Sequence, residues 1–295
     1  MSVAFARAGA QRLAPLPPLL YEPLVRSALL EDLGLGGDLT SEAMLAQDAC
    51  ARGLLVAREP GTLAGLDAAL YAFSVLDARA AFDVFARDGD AVDGGATIAA
   101  ISARARALLG AERTALNLLS HLSGIATATS HYVAAARTGR CAITETRKTL
   151  PGLRGLQKYA VRAGGGANHR LRLDDAMLIK DNHIALAGGV EAALRCAHER
   201  AGHLVKIELE VDALEQLTAL LASEHTVDAV LLDNFAVADV AEAVRLVAGR
   251  FTVEVSGGIT LDSVAALAAT GVDVISVGAL THSVSALDIG LDIGA

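Results

Sequence analysis

Tryptophan is absent from the 295 residues of this chain, and aromatic residues of all kinds make up 3% of it. Few rings mean few platforms for stacking unpaired bases, which argues against a single-stranded nucleic-acid binder. A net basic charge is missing too: 34 acidic against 25 basic side chains leave −9, the wrong balance for a nucleic-acid partner. Cysteine is scarce. Cys50, Cys141 and Cys196 are odd in number and widely spaced, which excludes a disulfide framework and a metal-type cluster and points to a reduced compartment. Cys141, at a strand start, reads as core filler. Arg7, Gln11 and Arg12 interrupt the first twenty residues, so no signal peptide is expected, and no apolar run reaches membrane-spanning length. A cytoplasmic protein with no membrane and no nucleic-acid partner is expected.

What is there is apolar bulk, 53% of residues, enough for one large α/β domain or one domain plus a smaller one. Within this acidic chain one stretch runs the other way. Glu145 to Ile184 holds eight Lys/Arg against four Asp/Glu, with His169 and His183 besides. The cations stand beside glycines and at strand ends, in Thr146-Arg147-Lys148-Thr149, Asn168-His169-Arg170 and Lys180-Asp181-Asn182-His183. Such a cluster focuses small anions. Arginine brings planar two-pronged donors for carboxylate or phosphate, lysine a compact point charge. A solvated basic face is the plain alternative, but the apolar Ala176–Ile179 run into Lys180 says that the charge emerges from a core.

In chain order, Leu19–Leu33 reads as a helix, Arg52–Glu59 as a strand, Leu66–Leu76 as a helix and Phe82–Ala86 as a strand. These elements do not alternate regularly, so they suit an α/β layer of modest size. Arg104–Ala136 reads as a helix in two pieces broken near Ser123-Gly124, and Glu112-Arg113 on it is ordinary helix surface charge by periodicity alone. From Cys141 on, six apolar runs each end in a polar residue or glycine, and from Glu210 the ends recur every 22 or 23 residues (Glu210, Asp233, Ser256, Gly278). Helical patterns fill the intervals, so the strands are expected to be parallel with both faces covered. A closed barrel and an open doubly wound sheet both fit this pattern. A functional residue at every strand end favours the barrel, since an open sheet concentrates its site at one switch point.

A barrel mouth would gather Arg147, Lys148, Lys180, Glu210, Asp233, Ser256 and Gly278, with the Asn168-His169-Arg170 loop over it. Ser256-Gly257-Gly258 and Gly278-Ala279, at the last two strand ends, suit a phosphate held by backbone N–H groups. Glu210 and Asp233 could hold Mg²⁺ or sugar hydroxyls, or form salt bridges to neighbouring cations. His169 beside Arg170 could bind a carboxylate or cap a loop. With no Ser/His/Asp spacing, the chemistry looks like charge stabilisation of polyanions, for which transfer of a group off a pyrophosphate ester fits.

The stretch Thr146–Ile184 resembles the quinolinate phosphoribosyltransferase family, and the likeness extends over nearly the whole chain. It includes Glu31–Gly34 with Gly37–Thr40, Glu112–Asn117 with Ser123–Thr127, Glu208–Asp212, Leu231–Asn234, Ser256–Ile259 and Gly271–Ser283. The resemblance implies an N-terminal α/β sandwich domain (1–127, with 280–295 returning to it) and a C-terminal α/β barrel (128–279). It implies a homodimer or a hexamer of dimers in which Arg113 crosses to the partner's site, and Mg²⁺ held mostly through the substrate's pyrophosphate. By similarity Arg147, His169, Arg170 and Lys180 hold quinolinate's two carboxylates, and Lys148, beside Thr146, serves phosphoribosyl pyrophosphate. Glu210 and Asp233 hold ribose hydroxyls or Mg²⁺, and Ser256–Gly258 with Gly278-Ala279 hold the 5′-phosphate. Lys148, Lys180, Glu210 and Asp233 are the implied catalytic set. Two departures stand out, Arg172 where many relatives carry Gly and Glu145 where Asp is more usual, and neither is expected to touch a substrate residue. The rivals are a related phosphoribosyltransferase with another acceptor and a Schiff-base aldolase barrel using Lys180.

Overall fold

The structure is a computed structural model of the chain, and it describes residues 13–294. Contacts divide it into two compact units. The first comprises the described residues up to Ser130 with 149–165 and those from Leu280 on; the second comprises 131–148 and 166–279. The sequence reading had left 149–165 inside the barrel segment. Among the described residues, no helix is long and apolar enough to cross a membrane.

In the first unit four antiparallel strands run in the order Ile289–Ile293, Cys50–Ala57, Thr97–Arg104, Ala81–Val84. The returning C-terminal strand is therefore an edge of the N-terminal sheet. Helices Pro18–Leu33, Leu66–Leu76 and Arg154–Ala163 belong to the same unit. The helix expected to break at Ser123-Gly124 is continuous from Ala105 to Ala135. Gly124 is there for close approach instead: a Cβ on it would meet the Ser285 carbonyl oxygen at 2.1 Å. Ser123 is fully buried and its hydroxyl accepts the Ala64 N–H, so both supposed breakers serve packing within the unit.

The second unit holds six parallel strands: β1 (Ala142–Thr144), β2 (Met177–Ile179), β3 (Ile207–Val211), β4 (Ala229–Asp233), β5 (Thr252–Ser256) and β6 (Val274–Ser276). They pair in the order β2-β3-β4-β5-β6-β1. Each strand lies beside its successor except that the first returns to the last, which is the cyclic order of a barrel and not of a doubly wound sheet. Among the described residues, no ladder joins β1 to β2. Ala167 makes a single parallel bridge to Thr144, its N–H donating to Ile143 O at 2.8 Å. The barrel thus keeps an unpaired seam.

Register explains what this unit does with its side chains. Neighbours align Leu178 with Glu208, Glu210 with Leu231, Leu231 with Glu254, Asp233 with Ser256, and Ser276 with Thr144. Since successive side chains alternate faces, all of these share one face of the sheet. The other face carries Ile143, Ile179, Leu209, Val230, Leu232, Val253, Val255 and Ile275, all buried. Those residues pack under helices such as Val237–Val247 and Leu261–Ala269, whose Val240, Ala243, Val264 and Leu267 are buried. Each such side chain contributes roughly 1.5–3 kcal/mol by leaving water. The face that carries Thr144, Glu208, Glu210, Asp233, Glu254, Ser256 and Ser276 is mixed, with Leu178 and Leu231 among its acids and hydroxyls.

Candidate active site

The polar face runs out at the strand C-termini, and the cations collect there. β2 ends at Ile179, and Lys180 follows as the N-cap of the helix Asp181–Ala187. Its Nζ is ion-paired with Glu210 Oε2 on the adjacent β3. Its backbone N–H donates to His183 Nδ1 at 2.9 Å, which fixes the strand-to-helix turn. On β4 Asp233 accepts from the Asn234 side-chain amide at 2.8 Å. Asn234 itself is left-handed, at φ 59°, with its N–H donating to Ser256 O at 2.9 Å. β5 ends in Ser256, followed by Gly257 and Gly258 with φ of 92° and 61°. Gly278 and Ala279 come two and three residues after β6 ends at Ser276, and both are half-buried.

On the loops, Thr146 Oγ1 accepts the Lys148 N–H at 3.1 Å, and Lys148 is exposed while Arg147 is half-buried. The loop after Ala167 is organised by Asp175, whose carboxylate accepts from the N–H groups of Leu171 at 2.6 Å and Arg172 at 3.1 Å. Those two bonds hold the Asp175 carboxyl below the usual range against the opposing effect of its burial. Arg170 Nη1 donates to Ala176 O at 2.9 Å, which aims the guanidinium. Burial first, and the Arg147 guanidinium second, pull Arg170 below the ordinary arginine range.

The two like charges stand side by side, and the carboxylates of Glu208, Asp175 and Glu210 offset only part of the fall at Arg170. The Nε atoms of both arginines are buried with no hydrogen-bond partner, two of the three such side-chain atoms among the described residues. A guanidinium nitrogen left without a partner in this way is a candidate donor to an anionic ligand.

The structure adds detail at His169, Glu145 and Arg172, and at Glu145 it corrects the expectation. His169 was expected to hold a carboxylate; here its Nδ1 accepts the Arg170 N–H at 2.7 Å while Nε2 lies 3.2 Å from Glu208 and 3.4 Å from Glu254. Both ring nitrogens thus have partners within the unit. Glu145, expected to touch no substrate residue, is fully buried and accepts the His169 N–H at 3.2 Å. Arg172 turns outward to pair with Asp174 at 3.1 Å. Glu208 and Glu254 were not singled out beforehand. The signal was present as glutamates centred in apolar strands, Ile-Glu-Leu-Glu-Val and Thr-Val-Glu-Val-Ser. Arg113 lies in the other unit, exposed on the helix Ala105–Ala135.

For a divalent cation the candidates are Glu210 and Asp233. Each has one carboxylate oxygen engaged, with Lys180 and Asn234 respectively. That leaves hard oxygen donors too few for an all-protein cage but suited to Mg²⁺ that arrives with substrate phosphates.

Cyclically ordered parallel strands, cations at their C-terminal ends and a glycine pair after β5 define a barrel enzyme that handles polyanions without a nucleophilic side chain. The particular family follows from comparison. Residues 38–123 match the N-terminal domain, and residues 125–292 the C-terminal domain, of quinolinate phosphoribosyl transferase. The chain is 49% identical over 274 residues to the nicotinate-nucleotide pyrophosphorylase (carboxylating) of Mycobacterium leprae, covering 91% of this chain and 95% of that one. It is 43% identical over 275 residues to the probable enzyme of that name in Bacillus subtilis, covering 93% and 94%. The nicotinate-nucleotide pyrophosphorylase from Francisella tularensis superposes with a TM-score of 0.90 at 38% identity, over 97% of this chain and 100% of that one. The chain belongs to the quinolinate phosphoribosyl transferase family.

Proposed function

We propose that this chain transfers the phosphoribosyl group of phosphoribosyl pyrophosphate to quinolinate with loss of CO₂, giving nicotinate mononucleotide and pyrophosphate. The observation that carries the reading, beside family membership, is the adjacent pair of half-buried arginines whose Nε atoms are buried without partners. A pyridine dicarboxylate supplies the two negative charges they call for.

In this reading Arg147, Arg170 and Lys180, with His169 at their base, hold the two carboxylates. Arg113 of a second copy adds to them, which fits its exposed position and makes the assembly a homodimer or a multiple of one. Lys148 and Thr146 face the pyrophosphate, and Ser256–Gly258 with Gly278-Ala279 take the 5′-phosphate. Mg²⁺, when bound with the substrate, would neutralise the departing pyrophosphate. The ring nitrogen attacks the anomeric carbon as the pyrophosphate oxygen leaves, and the sugar passes through a cation-like state that Glu210 and Asp233 stabilise. Positioning dominates the acceleration. The carboxylate next to the now positive ring nitrogen then departs as CO₂. Its bonding pair stays on the ring carbon, which takes a proton from water. The Lys180–Glu210 ion pair disfavours the aldolase rival, because an amine engaged with a carboxylate is a poor nucleophile. The reduced-thiol reading of Cys50, Cys141 and Cys196 supports a cytoplasmic setting.

The test is one assay. The protein with Mg²⁺ and phosphoribosyl pyrophosphate receives quinolinate in one reaction and nicotinate in another, and mononucleotide and CO₂ are followed. Product and CO₂ from quinolinate alone are expected. Folded protein silent with quinolinate would transfer the anion site to another acceptor.

A further inference from the structure

Gln157 is a fully buried polar side chain to which the transfer chemistry gives no part. It stands one turn into the helix Arg154–Ala163 of the first unit, and three side-chain hydrogen bonds hold it there. Its Oε1 accepts the Leu150 N–H at 3.0 Å, and its Nε2 donates to Thr281 O at 3.1 Å. The same nitrogen lies 3.0 Å from His121 Nε2. An amide nitrogen only donates, so His121 Nε2 is the acceptor and the ring carries its proton on Nδ1. Burial holds this ring below the usual histidine range, which keeps it neutral and able to accept. Turning the amide over would set oxygen against Thr281 O and N–H against the Leu150 N–H, so only one orientation satisfies all three partners.

The places of two of these partners in the chain give the bonds their meaning. The chain passes from the second unit to the first between Lys148 and Thr149, and again between Ala279 and Leu280. Leu150 is the second residue after Lys148, and Thr281 the second after Ala279. Lys148 is proposed to face the pyrophosphate of phosphoribosyl pyrophosphate, and Gly278-Ala279 to take its 5′-phosphate. One buried amide thus fastens the segments that lead into the loops for both anionic ends of a single substrate. The first segment is fastened further, by Arg154 Nε donating to Thr149 Oγ1 at 3.0 Å and by the Leu153 N–H donating to Leu150 O at 3.1 Å. Each residue has only two soft backbone dihedrals, so an anchor two residues away leaves a loop little freedom.

We infer that Gln157 is a positioning residue for phosphoribosyl pyrophosphate: by holding Leu150 and Thr281 on one side-chain amide, it fixes the loops of Lys148 and of Gly278-Ala279 at the spacing that the two phosphate ends of the substrate require. The inference rests on the proposed function, which assigns those loops to this substrate.

The experiment measures kcat, the KM for each substrate at a saturating level of the other, and the melting temperature. The chains compared are wild type, Gln157→Glu, Gln157→Met and His121→Ala. Glutamate keeps an oxygen for the Leu150 N–H but sets its other oxygen against Thr281 O, so it releases the segment after Ala279. His121→Ala leaves the bonds to Leu150 and Thr281 in place and removes only the third. In Gln157→Glu the KM for phosphoribosyl pyrophosphate is expected to rise about tenfold and that for quinolinate to stay within about twofold. In His121→Ala both KM values should hold while the melting temperature falls by a few degrees. An unchanged KM for phosphoribosyl pyrophosphate in folded Gln157→Glu overturns the inference. An equal rise in both KM values overturns it too, since Gln157 would then serve stability alone, and so does a rise of the same size in His121→Ala. Should Gln157→Glu fail to fold, Gln157→Met, unbranched and without either amide bond, decides by the same comparison. Folded wild-type protein that does not turn over quinolinate would instead refute the proposed function, and this inference with it.

Discussion

Two neighbouring glycines allow the phosphate end of the site to be tested with its own control. Gly257 and Gly258 both have positive φ, 92° and 61°, so an alanine at either is strained. They differ in surroundings. A Cβ on Gly257 would meet Asn234 Oδ1 at 2.1 Å and the Asn234 backbone nitrogen at 2.9 Å, whereas a Cβ on Gly258 meets nothing within 4 Å. The Asn234 side chain must therefore move in Gly257→Ala, and it cannot do so while keeping its 2.8 Å bond to Asp233. Left-handed backbone costs alanine about 1–2 kcal/mol. The displaced amide adds the loss of an exposed charge-assisted hydrogen bond, about 1 kcal/mol after solvent screening. The unrelieved backbone contact adds about 1 kcal/mol of strain. Gly257→Ala should thus lose about 3–4 kcal/mol and Gly258→Ala about 1–2 kcal/mol, or roughly 6–16 °C against 2–8 °C in melting temperature. Because Asp233 loses its orienting partner, KM for phosphoribosyl pyrophosphate should also rise in Gly257→Ala, by about tenfold for about 1.4 kcal/mol. KM for quinolinate should stay put. Calorimetric melting and two-substrate kinetics on both variants settle it. Equal losses in the two variants would mean that Asn234 yields freely and that Asp233 needs no such support.

Three more outcomes follow from the geometry. Arg170→Lys keeps a charge but loses the planar donors, one of which is spent on Ala176 O, so kcat/KM for quinolinate should fall about 10–150-fold for a charged hydrogen bond of ~1.5–3 kcal/mol; a change below twofold would contradict the pocket assignment. Arg113→Ala should abolish turnover while sedimentation shows the assembly intact, and undiminished turnover would show that no second copy contributes to the site. Stability should carry the sign of the raised Glu254 carboxyl. The unfolded chain gives up this proton near the ordinary glutamate value of about 4.3, while the fold keeps it to about 8, so this contribution is full at acid pH and is lost as pH climbs through that window. The difference in urea midpoint between Glu254→Gln and wild type should therefore move in favour of the variant from pH 5 to pH 8.5, and a difference independent of pH would mean that Glu254 titrates normally.

What was legible in the chain was whatever depends on local pattern. The helices Leu66–Leu76 and Leu261–Ala269 fall where their periodicity puts them, and the 22- or 23-residue recurrence yields parallel strands in barrel order. The basic stretch Glu145–Ile184 places Arg147 beside Arg170, half-buried, because strand ends and tight loops fix where such charges emerge. Ser123-Gly124 misled for a physical reason: a glycine pressed against a carbonyl oxygen from residue 285 looks, in sequence, like a glycine that ends a helix. The seam between β1 and β2 was hidden for a similar reason, since a single bridge at Ala167 leaves no strand-like run.

The site itself divides along the same line. The residues proposed to meet ligand stand at strand ends and in loops, where a charge interrupts an apolar run and is noticed. The carboxyls behind them stand at strand centres, and there Glu208 and Glu254 looked like members of a mixed strand. Only the register shows that Thr144, Glu208, Glu254 and Ser276 share a face, from strands whose sequence separations reach 132 residues. A buried glutamate flanked by valines is costly unless something shares its proton or its charge. In a parallel strand, then, an acid at mid-length is a stronger pointer to a polar layer inside the barrel than an acid at the end. Applied to Thr-Val-Glu-Val-Ser, that rule would have drawn attention to Glu254 before Ser256.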